Sequence, residues 1–355
     1  MGAPVNLTRM LAAETRAVIA PAIETLEPPF AWKEVVGPVE SFLEAVADRL
    51  AQQIREFDTA IVPYAEYALA GQGKQLRSAL VAMSTNATGK LDDTHVTSAV
   101  IVEMVHLATL VHDDVMDEAE IRRGRLTLAA NWGNETAVLF GDCLFANALK
   151  LAASFPTPDV CRAVAAATNT VCTGEIIQNR QRRDFQLSRR EYIKVLEMKT
   201  GELFALSCDL GAFVNGAPAG QRVALGKFGR ALGTAYQMYD DCVDVFGSEA
   251  VAGKSLGTDL AKGKLTLPVL LFWERASAAE RVKLKQLIYD WRPGCLAEVV
   301  SLLAQHETLG ESLETIHQYL QKAREVLRSL PKGRDKLLGL TEYLARQADA
   351  LGVCA

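Results

Sequence analysis

The 355-residue chain has few aromatics: Phe, Trp and Tyr together make up 7%. Long Ala-, Leu- and Glu-rich runs take their place, a composition that favours helix over sheet. No run alternates apolar and polar residues convincingly enough to read as a strand. Base is not in excess: 38 Lys and Arg face 43 Asp and Glu, for a net charge of -5. That balance excludes a protein whose main role is to hold nucleic acid through its phosphates. The seven cysteines form no C-x-x-C pair and no zinc spacing. They read as small buried hydrophobes in a reducing, cytoplasmic setting. Arg9, Glu14 and Arg16 interrupt the first apolar stretch, so no secretory signal is expected. No 18-residue stretch is expected to span a bilayer. No low-complexity tract or long Gly/Ser linker divides the chain.

What is present is a packed globular composition, 49% hydrophobic and 23% charged. Length alone suggests two to three domains. Turn signals nevertheless separate helical runs all along the chain, among them Gly71-Gln-Gly73, Phe155-Pro-Thr-Pro158, Asn215-Gly-Ala-Pro218 and Pro293-Gly294. The expected fold is all-α: a single large helical bundle around a deep central cavity, covering residues 39–355. Pro21, Pro28, Pro29 and Pro38 mark residues 1–38 as an N-terminal extension.

One internal repeat carries chemistry. His112-Asp-Asp-Val-Met-Asp117 and Tyr239-Asp-Asp-Cys-Val-Asp244 share the pattern D-D-x-x-D, each at the end of a long apolar run. The run from Ser98 to Glu118 is apolar nearly all round, so it belongs in a core. Its polar stripe holds His106, Asp113 and Asp117; Asp114 is turned away by one position. From Leu225 to Val245 the residues Gly226, Gly229, Gly233, Gln237, Asp240 and Asp244 recur at three or four. Carboxylates clustered inside a protein must protonate or meet cations. All-oxygen ligands favour a hard cation, and Mg²⁺ commonly completes its shell with phosphate. Basic groups accompany the acids: Lys74 and Arg77 in Gly73-Lys-Gln-Leu-Arg77, Arg122 and Arg123 before Gly124, Lys199 in Lys-Thr-Gly201, and Lys254, Lys262 and Lys264 after the second cluster. They exceed what one diphosphate needs, and two anionic ligands explain them.

The set of motifs GKQLR (73–77), EMVHLATLVHDDVMD (103–117), RRG (122–124), GE-x-x-Q (174–178), KTG (199–201), YQMYDDCVD (236–244) and GKSLGTDLAKGKLTLP (253–268) resembles the all-trans polyprenyl diphosphate synthases, the head-to-tail isoprenyl transferases. The resemblance runs from about Val39 to the C-terminus. It implies a Mg²⁺-dependent prenyltransferase with three ions per site, condensing isopentenyl diphosphate with an allylic diphosphate. On that resemblance Asp113, Asp117 and Asp240 are metal ligands, with Asp114, Asp241 and Asp244 behind them. Lys74, Arg77, His106 and Arg123 match the isopentenyl diphosphate site. Arg122, Lys199, Lys254 and Lys264 match the allylic diphosphate site, and Thr200 and Gln237 lie beside the reacting carbons. A homodimer is implied as well. Two positions depart from the family pattern: Ser78 where proline is usual, and Tyr236 where phenylalanine commonly precedes Gln237.

Product length is read down the helix below Asp113. In the family, large aromatics four and five residues before this aspartate stop growth early; here Thr109 and Ala108 are small. From Asp113 back to Ser98 the helix runs about 22 Å. At roughly 4–5 Å per isoprene unit that is four or five units of wall, with Ile101, Met104 and Val105 along it. Phe140, Leu144 and Phe145 are candidate floors. A product of six to nine units is expected; the alternatives are a short-chain (farnesyl or geranylgeranyl) synthase and a class I terpene cyclase on the same fold.

Overall fold

The computed structural model describes residues 32–71, 73–249, 255–292 and 294–354. Its helices, in order, are α1 (Trp32–Val36), α2 (Glu40–Arg55), α3 (Val62–Leu69), α4 (Leu76–Thr88), α5 (Asp93–Met116), α6 (Leu128–Trp132), α7 (Asn134–Ala153), α8 (Asp159–Arg180), α9 (Arg189–Leu196), α10 (Glu202–Phe213) and α11 (Ala219–Phe246). Then follow α12 (Thr258–Ala261), α13 (Leu267–Arg275), α14 (Ala278–Tyr289), α15 (Cys295–Ala304), α16 (Thr308–Leu327) and α17 (Asp335–Cys354). The all-α expectation holds. Two strands of two residues each, Ile121–Arg122 and Arg125–Leu126, pair antiparallel. They are too short to leave a period in the sequence. Their turn has Arg123 at φ +53° and Gly124 at +73°, the positive pair that a tight hairpin needs.

Helix α11 lies at the centre, packed against α10 and α16, while α5 packs on α7 and α10 on α4. Buried Leu, Val, Ile and Phe side chains from nearly every helix form the main core, Phe204 and Phe228 at its middle with no exposure. α11 and α10 approach so closely that a Cβ on Gly229 would sit 2.4 Å from the Phe204 carbonyl oxygen. Gly229 and Gly233 of the second acidic helix therefore serve close packing against Phe204 and its neighbours, while a Cβ on Gly226 would meet open space.

Three boundaries differ from expectation. Helix α5 starts at Asp93, ahead of Ser98, because Asp92 and His95 form a reciprocal capping box. Helix α11 starts at Ala219, directly after Pro218. Part of the stretch read as an extension packs with the body: Val35 and Val36 of α1 and Val39 of the following 3₁₀ turn are buried in the main core.

The expectation that no stretch could span a bilayer is also corrected. By length and composition alone, α5 and α7 are both long and apolar enough. In α5 the apolar window is 61% buried, so its apolarity is matched by the core. In α7 only 33% of the window is buried, and Val138 and Leu139 are 40% and 64% exposed.

Candidate active site

The first acidic cluster sits at the C-terminal end of α5, with Asp117 as its C-cap. Helix C-termini carry partial negative charge, so carboxylates placed there need cations. Each of the three has at least one. Asp113 lies 3.8 Å from Lys199 Nζ, which also pairs with the buried Glu175 and donates to Gln178 Oε1 at 3.1 Å. Burial pushes the Asp113 carboxyl up to about 6, against the pull of Lys199 and with the push of Glu175. The same burial would lower the Lys199 ammonium, but Asp113 and Glu175 raise it. Asp114 accepts from Arg122 Nε and Nη2, both at 2.8 Å. Asp117 accepts from Lys264 Nζ at 2.8 Å and Arg182 Nη2 at 2.8 Å, with Lys262 Nζ at 3.5 Å. Burial works to raise the Asp117 carboxyl, yet Lys264, Lys262 and Lys199 hold it below its ordinary value.

The KTG motif occupies a π-helical segment, Glu197–Gly201, between α9 and α10. Such segments recur at functional sites, because the extra residue per turn re-aims side chains. Here Thr200 Oγ1 donates to Gln237 Oε1 at 2.8 Å, and Gln237 Nε2 donates to Asp241 Oδ1 at 2.9 Å. Tyr192 OH donates to the other Asp241 oxygen at 2.6 Å. The chain ties the π segment, α9 and α11 together. Burial, then the nearby Asp259, push the Asp241 carboxyl up to about 8. Lys199, Gln237, Asp241 and Lys264 line one cavity. Because Lys199 and Lys264 also reach Asp113 and Asp117, this cavity joins the two acidic helices. Asp240 is half-buried on the same stretch of α11. Asp244 accepts from Thr258 Oγ1 at 2.8 Å and from the Asp259 amide at 3.0 Å, and so caps α12.

A second basic group gathers at the start of α4. Gly73 leaves room for the Arg123 guanidinium, whose Nη2 would lie 2.5 Å from a Cβ there. Arg123 Nη1 donates to the Gly71 carbonyl at 2.6 Å. Arg77 stacks over the Phe204 ring at 5.1 Å. Burial, with Arg77, Arg123 and Arg122 close by, drives His106 well below its ordinary value, so the ring is neutral. Lys74 donates to Tyr343 OH at 2.7 Å, on α17. Ser78 explains its own departure from proline: its amide and hydroxyl donate to Glu103 Oε1 at 3.1 and 2.8 Å. Proline could supply neither bond.

Most of the sequence-derived residues thus fall around one end of the bundle. Lys254 lies outside the described residues. Ala108 packs with Phe140 and Leu144 in a separate small cluster, while Ile101, Met104 and Val105 belong to the main core. Among the described residues no three His, Cys, Asp or Glu side chains form a ready-made metal cluster. Asp113, Asp114 and Asp117 are each paired with basic side chains. Sequence reasoning gave no role to Glu175 or Lys262, though it marked their motifs, and did not single out Tyr192 or Arg182. Glu175 stands within GE-x-x-Q and Lys262 two residues before Lys264; Arg182, in the run Arg180-Gln-Arg-Arg183, reads as surface charge.

Residues 59–306 match the polyprenyl synthetase family profile. The chain is 33% identical over 271 residues to the octaprenyl diphosphate synthase of Haemophilus influenzae, covering 76% of this chain and 82% of that one. It is 32% identical over 310 residues to the nonaprenyl diphosphate synthase of Mycobacterium tuberculosis, covering 86% and 92%. A polyprenyl synthase structure from Caulobacter crescentus, complexed with calcium and isoprenyl diphosphate, superposes with a TM-score of 0.84 at 31% identity over 89% of this chain and 98% of that one. A decaprenyl diphosphate synthase structure from Rhodobacter capsulatus gives 0.82 at 30% identity, over 92% and 100%. The paired acidic helices, the cations that hold them and these likenesses agree: the chain belongs to the polyprenyl synthetase family and is a trans-prenyltransferase.

Proposed function

We propose that the chain condenses isopentenyl diphosphate with an allylic diphosphate, in the presence of Mg²⁺, to give a medium-to-long all-trans polyprenyl diphosphate. The observation that carries this reading is the single cavity on which Lys199, Lys264, Gln237 and Asp241 converge. A lone acidic helix end would need no such partner.

The donor chemistry suits Mg²⁺: Asp113, Asp117 and Asp240 offer only carboxylate oxygens, the preference of a hard cation. When bound there, Mg²⁺ supplies Lewis-acid stabilisation of charge on a departing diphosphate. The chain's own part is positioning and charge. Lys199, Lys264 and Arg122 stand where they can neutralise the diphosphate of the allylic substrate. Arg77 and Arg123, with Lys74, form the seat for isopentenyl diphosphate, and His106 adds a donor. The Tyr192–Asp241–Gln237–Thr200 chain holds the Gln237 and Thr200 oxygens beside the carbons at which bond cleavage and bond formation occur. Lys254 is assigned to the allylic diphosphate as well. Asp114 and Asp241 act behind the ligands, through Arg122 and Gln237, and Asp244 through the α12 turn.

Small residues at Ala108 and Thr109 support a long product, of six to nine units. The apolar outer face of α7, with Val138 and Leu139 exposed, supports pairing of two copies into a homodimer. Purified protein given Mg²⁺, isopentenyl diphosphate and a series of allylic primers should form polyprenyl diphosphates of that size on chromatography. Products confined to farnesyl or geranylgeranyl diphosphate would refute the length, and no elongation at all would refute the function.

A further inference from the structure

The turn after α8 carries a group that none of the family motifs contains. Residues 181–184 fold back with Arg183 at φ +59°, and the Arg183 amide donates to the Gly263 carbonyl at 2.7 Å. Gly263 itself has φ +73°, and a Cβ on it would lie 2.5 Å from Arg183 Cγ. The turn is thereby locked onto the Lys262-Gly-Lys264 turn. Both turns aim cations at one carboxylate: Arg182, Lys262 and Lys264 all reach Asp117.

The charge does not close. Three cations converge on Asp117, with Asp259 adding a further pull on Lys262, and their side chains are only 27%, 26% and 8% exposed. The neighbouring carboxylates are engaged elsewhere, Asp114 by Arg122 and Asp113 by Lys199. Positive charge gathered in a half-buried site is costly until an anion arrives. Arg182 also has unused donor capacity. Only its Nη2 bonds to Asp117, while its buried Nε has no hydrogen-bond partner among the described residues. A purely structural ion pair would account for Nη2 but not for the buried, unspent Nε. A guanidinium fork with free donors suits phosphate oxygens.

We propose that Arg182 is a further ligand for the diphosphate of the allylic substrate, which the unliganded chain holds against Asp117. This rests on the prenyltransferase reading above. A metal ion on Asp117 would compete with three cationic side chains for one carboxylate. Were Asp117 to hold a metal ion, Arg182, Lys262 and Lys264 would need another anion, and diphosphate oxygens are the matching charge. No covalent change at Arg182 is involved.

The test is equilibrium binding by titration calorimetry, with Mg²⁺, of a non-hydrolysable allylic thiolodiphosphate and, separately, of isopentenyl diphosphate. Wild type is compared with Arg182→Gln and Arg182→Lys, whose thermal unfolding is recorded alongside. R182Q should weaken the thiolodiphosphate by roughly 10- to 100-fold, the value of charge-assisted bonds to one phosphate. Isopentenyl diphosphate should bind within about twofold of wild type, and R182K should recover part of the loss. If R182Q does not fold, R182K is read in its place, with a loss of about threefold or more expected because it keeps the charge but lacks the fork. Unchanged thiolodiphosphate binding, tighter binding, or an equal loss for both ligands would overturn the assignment. A wild type that binds no thiolodiphosphate would instead overturn the prenyltransferase reading itself.

Discussion

Asp117→Asn removes the one negative charge on which Arg182, Lys262 and Lys264 converge, and its shape is nearly unchanged. The contacts are at 2.8, 3.5 and 2.8 Å. Breaking a fully buried pair by deleting one partner costs about 3–5 kcal/mol. Here the Asp117 side chain keeps 15% exposure and two of the cations about a quarter. Water screens part of the repulsion left behind, so about 2–3 kcal/mol is expected. For a chain of 355 residues the unfolding entropy is about 0.7 kcal/mol/K, so the midpoint should fall by about 3–4 °C. The assay is thermal unfolding in a chelator, so that no divalent cation takes part. Inorganic pyrophosphate should then restore most of the loss, because it replaces the missing anion. At a hundred times its dissociation constant a ligand contributes about 2.7 kcal/mol. Wild type should gain less, since there pyrophosphate must displace Asp117. A fall under about 1 °C, against the size expected from the unfolding entropy, or an equal gain by both proteins, would refute the reasoning that the cations are short of negative charge.

Tyr192→Phe leaves one oxygen of the buried Asp241 without its donor, and it should cost about 1–3 kcal/mol in unfolding experiments; it should also lower kcat more than it raises KM, and a change in KM alone would argue against the chain holding Gln237. Ser78→Pro restores the residue usual in the family but removes both bonds to Glu103, so a stability loss of about 1–3 kcal/mol should appear in denaturant titration; an unaltered midpoint would show those bonds to be of no consequence. Ala108→Phe places a ring against Phe140 and Leu144 at a site with no exposure. It should shorten the chromatographed products and reduce stability by about 1–3 kcal/mol through overpacking; products of unchanged length would place the growing tail elsewhere.

Much of the site was legible because its signals are local. A D-D-x-x-D at the end of an otherwise apolar helix shows carboxylates that need cations, and glycine beside lysine or arginine marks a turn made for close approach. Helical period, turn residues and the absence of alternation were enough for the all-α class. Ser78 could be seen as a departure, but its reason could not: Glu103, its partner, stands 25 residues away.

What the sequence determined by itself is therefore the type of each element and the chemistry each offers, since periodicity, capping and residue type act within a few residues. What only the tertiary structure decided is which charge meets which. Lys199 could reach Asp113 only once the π segment turned it inward beside α8. Asp244 was left to cap α12 because the turn before that helix returns to α11. Arg182 came to lie on Asp117, 65 residues away, because the turn at Arg183 docks on Gly263. Coulomb pairing depends on distance in space, and packing of helices far apart in the chain sets that distance.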